Sequence, residues 1–154
     1  MADKYIKEMD ELKLVGFRVL CPGDQYIKEI PKATWNLEER VSEIKHVIHP
    51  IRQIGAFVVD NETDEEDGYW VCVEVKEFED VPADMVTLVI PAQRYAAFRY
   101  NGPNHKIMHE AYGELHKWME KKNLKRLENK WHLEVFFSWK DIENVDIELL
   151  DTVE

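Results

Sequence analysis

Glu134 lies in Trp131-His132-Leu133-Glu134-Val135-Phe136-Phe137, a strand-like run that is otherwise almost wholly aromatic and aliphatic. A carboxylate in such a run has little water around it. Burying it unpaired costs several kcal/mol or forces it to take up a proton. A fixed cation, a strong hydrogen-bond donor or a positively charged ligand would offset that cost. The alternatives are an exposed sheet face, or a pair with an internal base such as Arg99. The aromatic residues Trp35, Phe57, Trp70, Phe136 and Trp139 are candidates to wall a groove around the carboxylate, because aromatic faces attract cations by about 0.5–2 kcal/mol each. Met108 and Tyr112, from a helix, are further candidates. Any of these is equally suited to a plain core.

Other chemistries find less support. His105 and His109 stand four residues apart on a helical stretch, with His116 beyond them, but Lys106-Ile107-Met108 supplies no glutamate for a zinc-protease motif. No metal or cofactor is expected. The acidic run Asp60-Asn61-Glu62-Thr63-Asp64-Glu65-Glu66-Asp67 lacks the central glycine and closing glutamate of a calcium loop, and reads as a solvated hairpin tip. Cys21 and Cys72 form no CxxC pair and no disulfide framework. Cys72 reads as a small core residue. No Ser-His-Asp order, phosphate-binding glycine loop or basic stripe is present.

These residues must be positioned by a chain of 154 residues with 45% hydrophobic and 11% aromatic content. A domain of that size buries about 68–70% of its unfolded surface and needs neither disulfides nor metal to hold a core. One domain over 1–154 is expected. The formal charge of −11, from 31 acidic and 20 basic residues, argues against direct nucleic-acid binding, which needs a basic footprint. It favours cationic partners or simply keeps the protein soluble. No stretch approaches membrane-spanning length, and the N-terminus lacks a signal-peptide core, so a cytoplasmic protein with no membrane partner is expected.

The apolar pattern predicts two copies of one strand–helix–strand–strand unit, in halves of about 1–80 and 81–154. In the first, a strand over 12–20 stops at Cys21-Pro22-Gly23. A helix over 34–49 follows, capped by Thr34 and striped with Leu37, Val41, Ile44 and Ile48. Strands over 54–60 and 69–78 form a hairpin. In the second, extended runs over 85–90 and 95–100 lead to Asn101-Gly102-Pro103. A helix over 104–121 capped by Asn104 then precedes strands over 131–137 and 145–150. The predicted class is α+β: a duplicated βαββ repeat, mostly antiparallel, with two long helices and a central groove. Alternation puts His132, Glu134 and Phe136 on one face of their strand and Trp131, Leu133, Val135 and Phe137 on the other. The second set is apolar enough to lie under a helix. Laying the copies over each other sets Glu134 on Phe57, giving a groove with an aromatic side and an anionic side.

The stretch Val89-Ile90-Pro91-Ala92-Gln93-Arg94-Tyr95-Ala96-Ala97-Phe98-Arg99-Tyr100-Asn101-Gly102-Pro103 resembles the middle signature of GyrI-like small-molecule-binding domains. These are effector-binding modules found behind AraC- and MerR-type DNA-binding domains and also free-standing. Tyr69-Trp70-Val71-Cys72-Val73-Glu74-Val75, Leu133-Glu134-Val135-Phe136 and Ile147-Glu148-Leu149-Leu150 look like that family's neighbouring strands. The resemblance covers nearly the whole chain. It implies a SOUL/GyrI-like fold whose central pocket takes a small hydrophobic, frequently cationic ligand, with Glu134 as the anionic anchor. Some free-standing relatives are hydrolases of cyclopropane-containing toxins, which would make Glu134 catalytic, and the name-giving relative inhibits DNA gyrase. A glutamate-dependent hydrolase and an acidic module engaging a topoisomerase are therefore the alternatives to a ligand-binding protein. The chain departs from many members in ending Leu150-Asp151-Thr152-Val153-Glu154, without a closing proline. No DNA-binding segment is expected ahead of the domain.

Overall fold

A computed structural model describes residues 3–59 and 67–154. The acidic run over 60–66, with its calcium-loop comparison, lies outside the described residues. The strands are β1 (Lys4–Met9), β2 (Leu12–Val19), β3 (Gln53–Val58), β4 (Tyr69–Val75), β5 (Val86–Ile90), β6 (Gln93–Gly102), β7 (Trp131–Ser138) and β8 (Val145–Val153). They form one eight-stranded sheet in the order β1-β6-β8-β7-β3-β4-β2-β5, antiparallel throughout. The order is symmetric. Exchanging β6, β8 and β7 for β2, β4 and β3 maps one half of the sheet on the other, so a pseudo-two-fold passes between β7 and β3. The α+β antiparallel class predicted from the repeat is the class observed. Its edges are exchanged between the copies: β1 pairs with β6, and β5 pairs with β2.

The helices differ from the pattern. The first, α1 (Tyr26–Arg40), begins eight residues before the predicted start and contains Pro31. Proline removes an intrahelical donor, which is why the sequence suggested a start beyond it. A 3-10 turn over Val41–Glu43 follows, and Ile44 is already extended. Leu37 and Ile44 are buried as the stripe predicts, but the helix ends between them. Thr34 sits inside α1 and is not its cap. In the second copy a 3-10 turn (Asn104–Lys106) and a π-helical turn (Ile107–Ala111) precede α2 (Tyr112–Lys121). Pro103, and not Asn104, stands at the N-cap position of that turn.

Both helices pack on the same face of the sheet. Val15, Val71, Val73 and Val75 lie under α1 with Leu37, while Phe98, Ile147 and Leu149 lie under α2 with Ile107, Ala111, Leu115 and Met119. The opposite face builds a core without a helix. Leu12, Leu14 and Ile90 from one end of the sheet join Tyr95 and Ala97 from the other in one buried cluster, so the sheet curls over this face. This corrects one inference from alternation. Leu133 and Val135 belong to the curled, helix-free core, whereas His132, Glu134 and Phe136 are on the helix side. Alternation separates two faces correctly but does not say which one receives the helices.

The floor between α1 and α2 is therefore β3 and β7, with Gln53 opposite Phe136, Gly55 opposite Glu134 and Phe57 opposite His132. Gly55 has a steric reason to lack a side chain. A Cβ there would lie 1.7 Å from the Tyr69 hydroxyl oxygen and 2.3 Å from its ring carbon, because the ring crosses β3 at this point. Gly55→Ala should displace that ring and cost about 1–3 kcal/mol. Urea denaturation would measure it; a variant as stable as the parent would show that Tyr69 does not occupy this position.

Candidate functional site

Tyr69 leads from β4 across Gly55 to β7, where its hydroxyl donates to Glu134 Oε1 at 2.6 Å. Tyr112, at the first turn of α2, donates to Oε2 at 2.5 Å. The π turn immediately before Tyr112 shifts the helix register by one residue there; such turns recur at functional sites. Glu134 is 9% exposed. Burial raises its pKa, the hydrogen bonds from Tyr112 and Tyr69 lower it, the nearby Asp151 carboxylate raises it and Arg126 lowers it; the outcome is a pKa above the ordinary glutamate value. The same burial and the Glu134 charge push both phenols well above their ordinary range, so both remain donors. Hydrogen bonds to a charged group contribute about 1.5–3 kcal/mol each, close to the several kcal/mol of desolvation. The hydrogen bonds offset much of that cost, and burial still sets the direction of the shift.

Two further buried carboxylates give the contrast. Glu148, on the helix-free face and 2% exposed, accepts from Tyr5 and pairs with Lys7 at 2.9 Å. Asp151, on the helix face of β8 and 0% exposed, takes a 2.7 Å contact from His116 Nε2 and lies 3.3 Å from Arg126 Nε. Burial alone would raise the Asp151 pKa; His116, the nearby His132 ring and Arg126 outweigh it and hold the group well below the ordinary carboxylate range. His132 Nδ1, 3.6 Å from Asp151, accepts from the Thr152 amide, and Nε2 donates to the Leu127 carbonyl. Its ring proton is thus on Nε2, and it gives Asp151 no hydrogen bond. Each of these two carboxylates has a basic partner in contact. Glu134 differs in that both of its side-chain hydrogen-bond partners are neutral phenols.

Around Glu134 the structure gathers part of the predicted set. Phe57 stacks between Tyr69 and His132, with ring centroids 6.0 and 5.8 Å away. Phe136 follows two residues after Glu134 on the same face and packs against the α2 core. Gln53 reaches from the floor to the Thr34 carbonyl of α1. Trp35 on α1 is 65% exposed and Met108 in the π turn 71% exposed. Trp139, just past β7, is half-buried and its indole nitrogen has no hydrogen-bond partner. Trp70 requires correction as a groove wall. It lies on the helix-free face, edge-on to Trp131 at 5.0 Å, and its neighbour Tyr69 is the residue turned to Glu134. Strand parity decides between the two, and the sequence did not fix that parity. Arg99 pairs with Asp146 and not with Glu134. His116 serves Asp151. Among the described residues the one group of three possible metal ligands is His46, Glu77 and Glu79, all exposed. Cys72 is fully buried and burial pushes its thiol up.

The sequence reading missed Tyr69, Asp151, His116 and Arg126. Asp151 carried the same signal as Glu134, a carboxylate in an apolar strand, but the strand was read as ending at Leu150, and β8 continues to Val153.

The two acids should give opposite pH slopes. Glu134 has a folded pKa above its unfolded value. Between those values the native state holds more protons, so this group's contribution falls as pH rises. Glu134→Gln should therefore gain stability on the parent across that window, as followed by urea denaturation. Asp151 has a depressed pKa, so its stabilisation is present above the ordinary aspartate value and lost as pH falls through that range. Asp151→Asn should cost about 3–5 kcal/mol at neutral pH, with the gap closing in acid. A Glu134→Gln variant that loses stability with rising pH relative to the parent would contradict the geometry.

A family model described as integron-associated effector binding protein matches residues 5–150. No curated protein sequence matches. Among solved structures, the chain is similar to SAV2435 bound to tetraphenylphosphonium, at 14% identity and a TM-score of 0.72, over 98% of this chain and 93% of that one. It is similar to EcmrR in its DNA complex, at 21% identity and a TM-score of 0.70, and there spans 98% of itself but 57% of the EcmrR chain. An integron cassette protein of Vibrio cholerae matches at 17% identity and a TM-score of 0.55, over 98% of this chain and 95% of that one. With the family model covering almost all of its length, the chain belongs to the integron-associated effector binding proteins.

Proposed function

We propose that the protein binds a small hydrophobic cation between α1 and α2, with Glu134 as its charge partner. Phe57, Phe136, Tyr69 and Tyr112 provide the aromatic surroundings. The observation that carries this reading is the buried carboxylate held on both oxygens by neutral phenols, without a base in contact. Such a group keeps an uncompensated field in a region of low dielectric, where a cation gains most. An aromatic surround adds cation–π attraction and admits a ligand of apolar surface. SAV2435 is seen with tetraphenylphosphonium, a cation of that class, on a similar fold. Trp35, Met108 and Trp139 are assigned to the groove mouth, where exposed apolar side chains can close on a ligand.

Turnover by Glu134 is the competing reading. The raised pKa and two phenol donors would suit general acid–base work on a strained electrophile. Recovery of ligand at unchanged mass supports a receptor; a product heavier by one water supports the hydrolase.

Tetraphenylphosphonium should bind the parent and lose about tenfold or more affinity in Glu134→Gln, equivalent to about 1.4 kcal/mol. Affinity should rise with pH through the raised Glu134 pKa and then level off, because the cation binds the ionised form. Calorimetry in buffers of different ionisation enthalpy should show proton release below that plateau. Equal affinity in parent and variant would overturn the assignment of Glu134.

A further inference from the structure

The segment that leaves α1 and the connection that leaves β4 run side by side. Val47 bridges Val75, the Lys76 amide donates to the His46 carbonyl at 2.9 Å, and the Ile48 amide donates to the Glu74 carbonyl at 2.9 Å. This short ladder fixes His46 against Glu77 and Glu79. His46 Nε2 lies 2.6 Å from Glu79 Oε1 and 3.3 Å from Glu77 Oε1. The three ligand atoms all lie within 4.8 Å of one another. The carboxylates nearby are unequally matched. Asp84 is held by Arg40 and Asp80 by Lys45. Lys45 reaches Glu79 only at 4.0 Å, and on Oε2, the oxygen that is not against His46. Among the described residues Glu77 has no ion pair except that with His46. Two carboxylates without a lysine or arginine in hydrogen-bond contact therefore share one imidazole.

We infer that His46, Glu77 and Glu79 bind one divalent transition-metal ion of the zinc class. One imidazole nitrogen with two carboxylate oxygens suits such borderline ions, whereas magnesium and calcium take all-oxygen sites. Donors on a tetrahedral zinc ion stand about 3.3 Å apart, from bonds of roughly 2.0–2.2 Å. The His46–Glu77 separation already has that value, and the His46–Glu79 contact reaches it by widening about 0.7 Å, a small rotation for a half-exposed glutamate. All three side chains are partly exposed, so water can complete the coordination. His46 and Glu79 are 33 residues apart in the chain, so only the folded protein presents the set, and the ion clips the exit of α1 to the β4–β5 connection. Tyr69 begins β4 and Val75 ends it, which puts the metal beyond the end of that strand opposite the Glu134 groove. The site is independent of what the groove binds.

The test uses the whole chain without an affinity tag. Zinc chloride is titrated by calorimetry, with magnesium chloride in a parallel arm. One zinc ion per chain should bind saturably, and magnesium about a hundredfold or more weakly. His46 has a φ of 65°, so it is replaced by asparagine, which tolerates that left-handed backbone. His46→Asn and Glu77→Gln should each weaken zinc about tenfold or more, since each removes one of three ligands. The His105→Gln/His109→Gln double variant, which removes the other closely spaced histidines, should bind zinc as the parent does. By NMR, the His46 ring and the Ile48 and Lys76 amides should shift in step with the titration. Saturating zinc should raise the parent's thermal midpoint, and His46→Asn should lose that rise. Absence of zinc binding overturns the site, as does binding that neither His46→Asn nor Glu77→Gln weakens. Binding lost in the His105→Gln/His109→Gln variant overturns it by placing the metal on the turns before α2. Equal affinity for magnesium overturns the class of ion.

Discussion

The structure depends on holding one carboxylate inside the protein on neutral donors, without a basic group in hydrogen-bond contact. Glu134 is removed from water by the helix–sheet packing around it, and two phenols restore roughly the hydrogen bonding that water supplied. Neither phenol reduces the net charge. Under the function proposed above, a bound cation would be the partner of that carboxylate. Glu148 and Asp151 show what the same chain does with a structural carboxylate, which is to place Lys7, His116 or Arg126 against it.

The architecture serves that arrangement. Duplication sets two half-sheets edge to edge at β3 and β7, and each half brings one helix to the same face. The seam between the halves is where Glu134 of β7 faces Gly55 of β3. Tyr69 comes from the first copy and Tyr112 from the second, so the clamp on Glu134 forms only when both copies are in place. Gly55 on the first copy leaves room for the Tyr69 ring, and the π turn leads directly into Tyr112. The curled, helix-free face beneath supplies a core that does not depend on the groove being filled.

Much of this was legible in the sequence. The alternation in β7 isolated Glu134, element order and turn placement gave the repeat, and the family resemblance agreed with both. What could not be read had specific physical causes. Periodicity divides a strand into two faces but carries no label for the face that meets a helix, so the sides of β7 were inverted and Trp70 was chosen over Tyr69. Pro31 obscured the beginning of α1, since a proline within a helix is normally unfavourable. The partners of Asp151 come from α2, from the segment after it and from β8, which no local pattern connects. Gly55 gives no sign in isolation that a ring from the neighbouring strand lies over it.

The most direct measurement is a crystal of the complex with tetraphenylarsonium, in which anomalous scattering locates the arsenic independently of the protein phases. The account predicts arsenic between the two helices, within roughly 6 Å of the Glu134 carboxylate, with phenyl groups against Phe57 and Phe136. Arsenic bound elsewhere on the molecule, with Glu134 still closed under its two tyrosines, would contradict it.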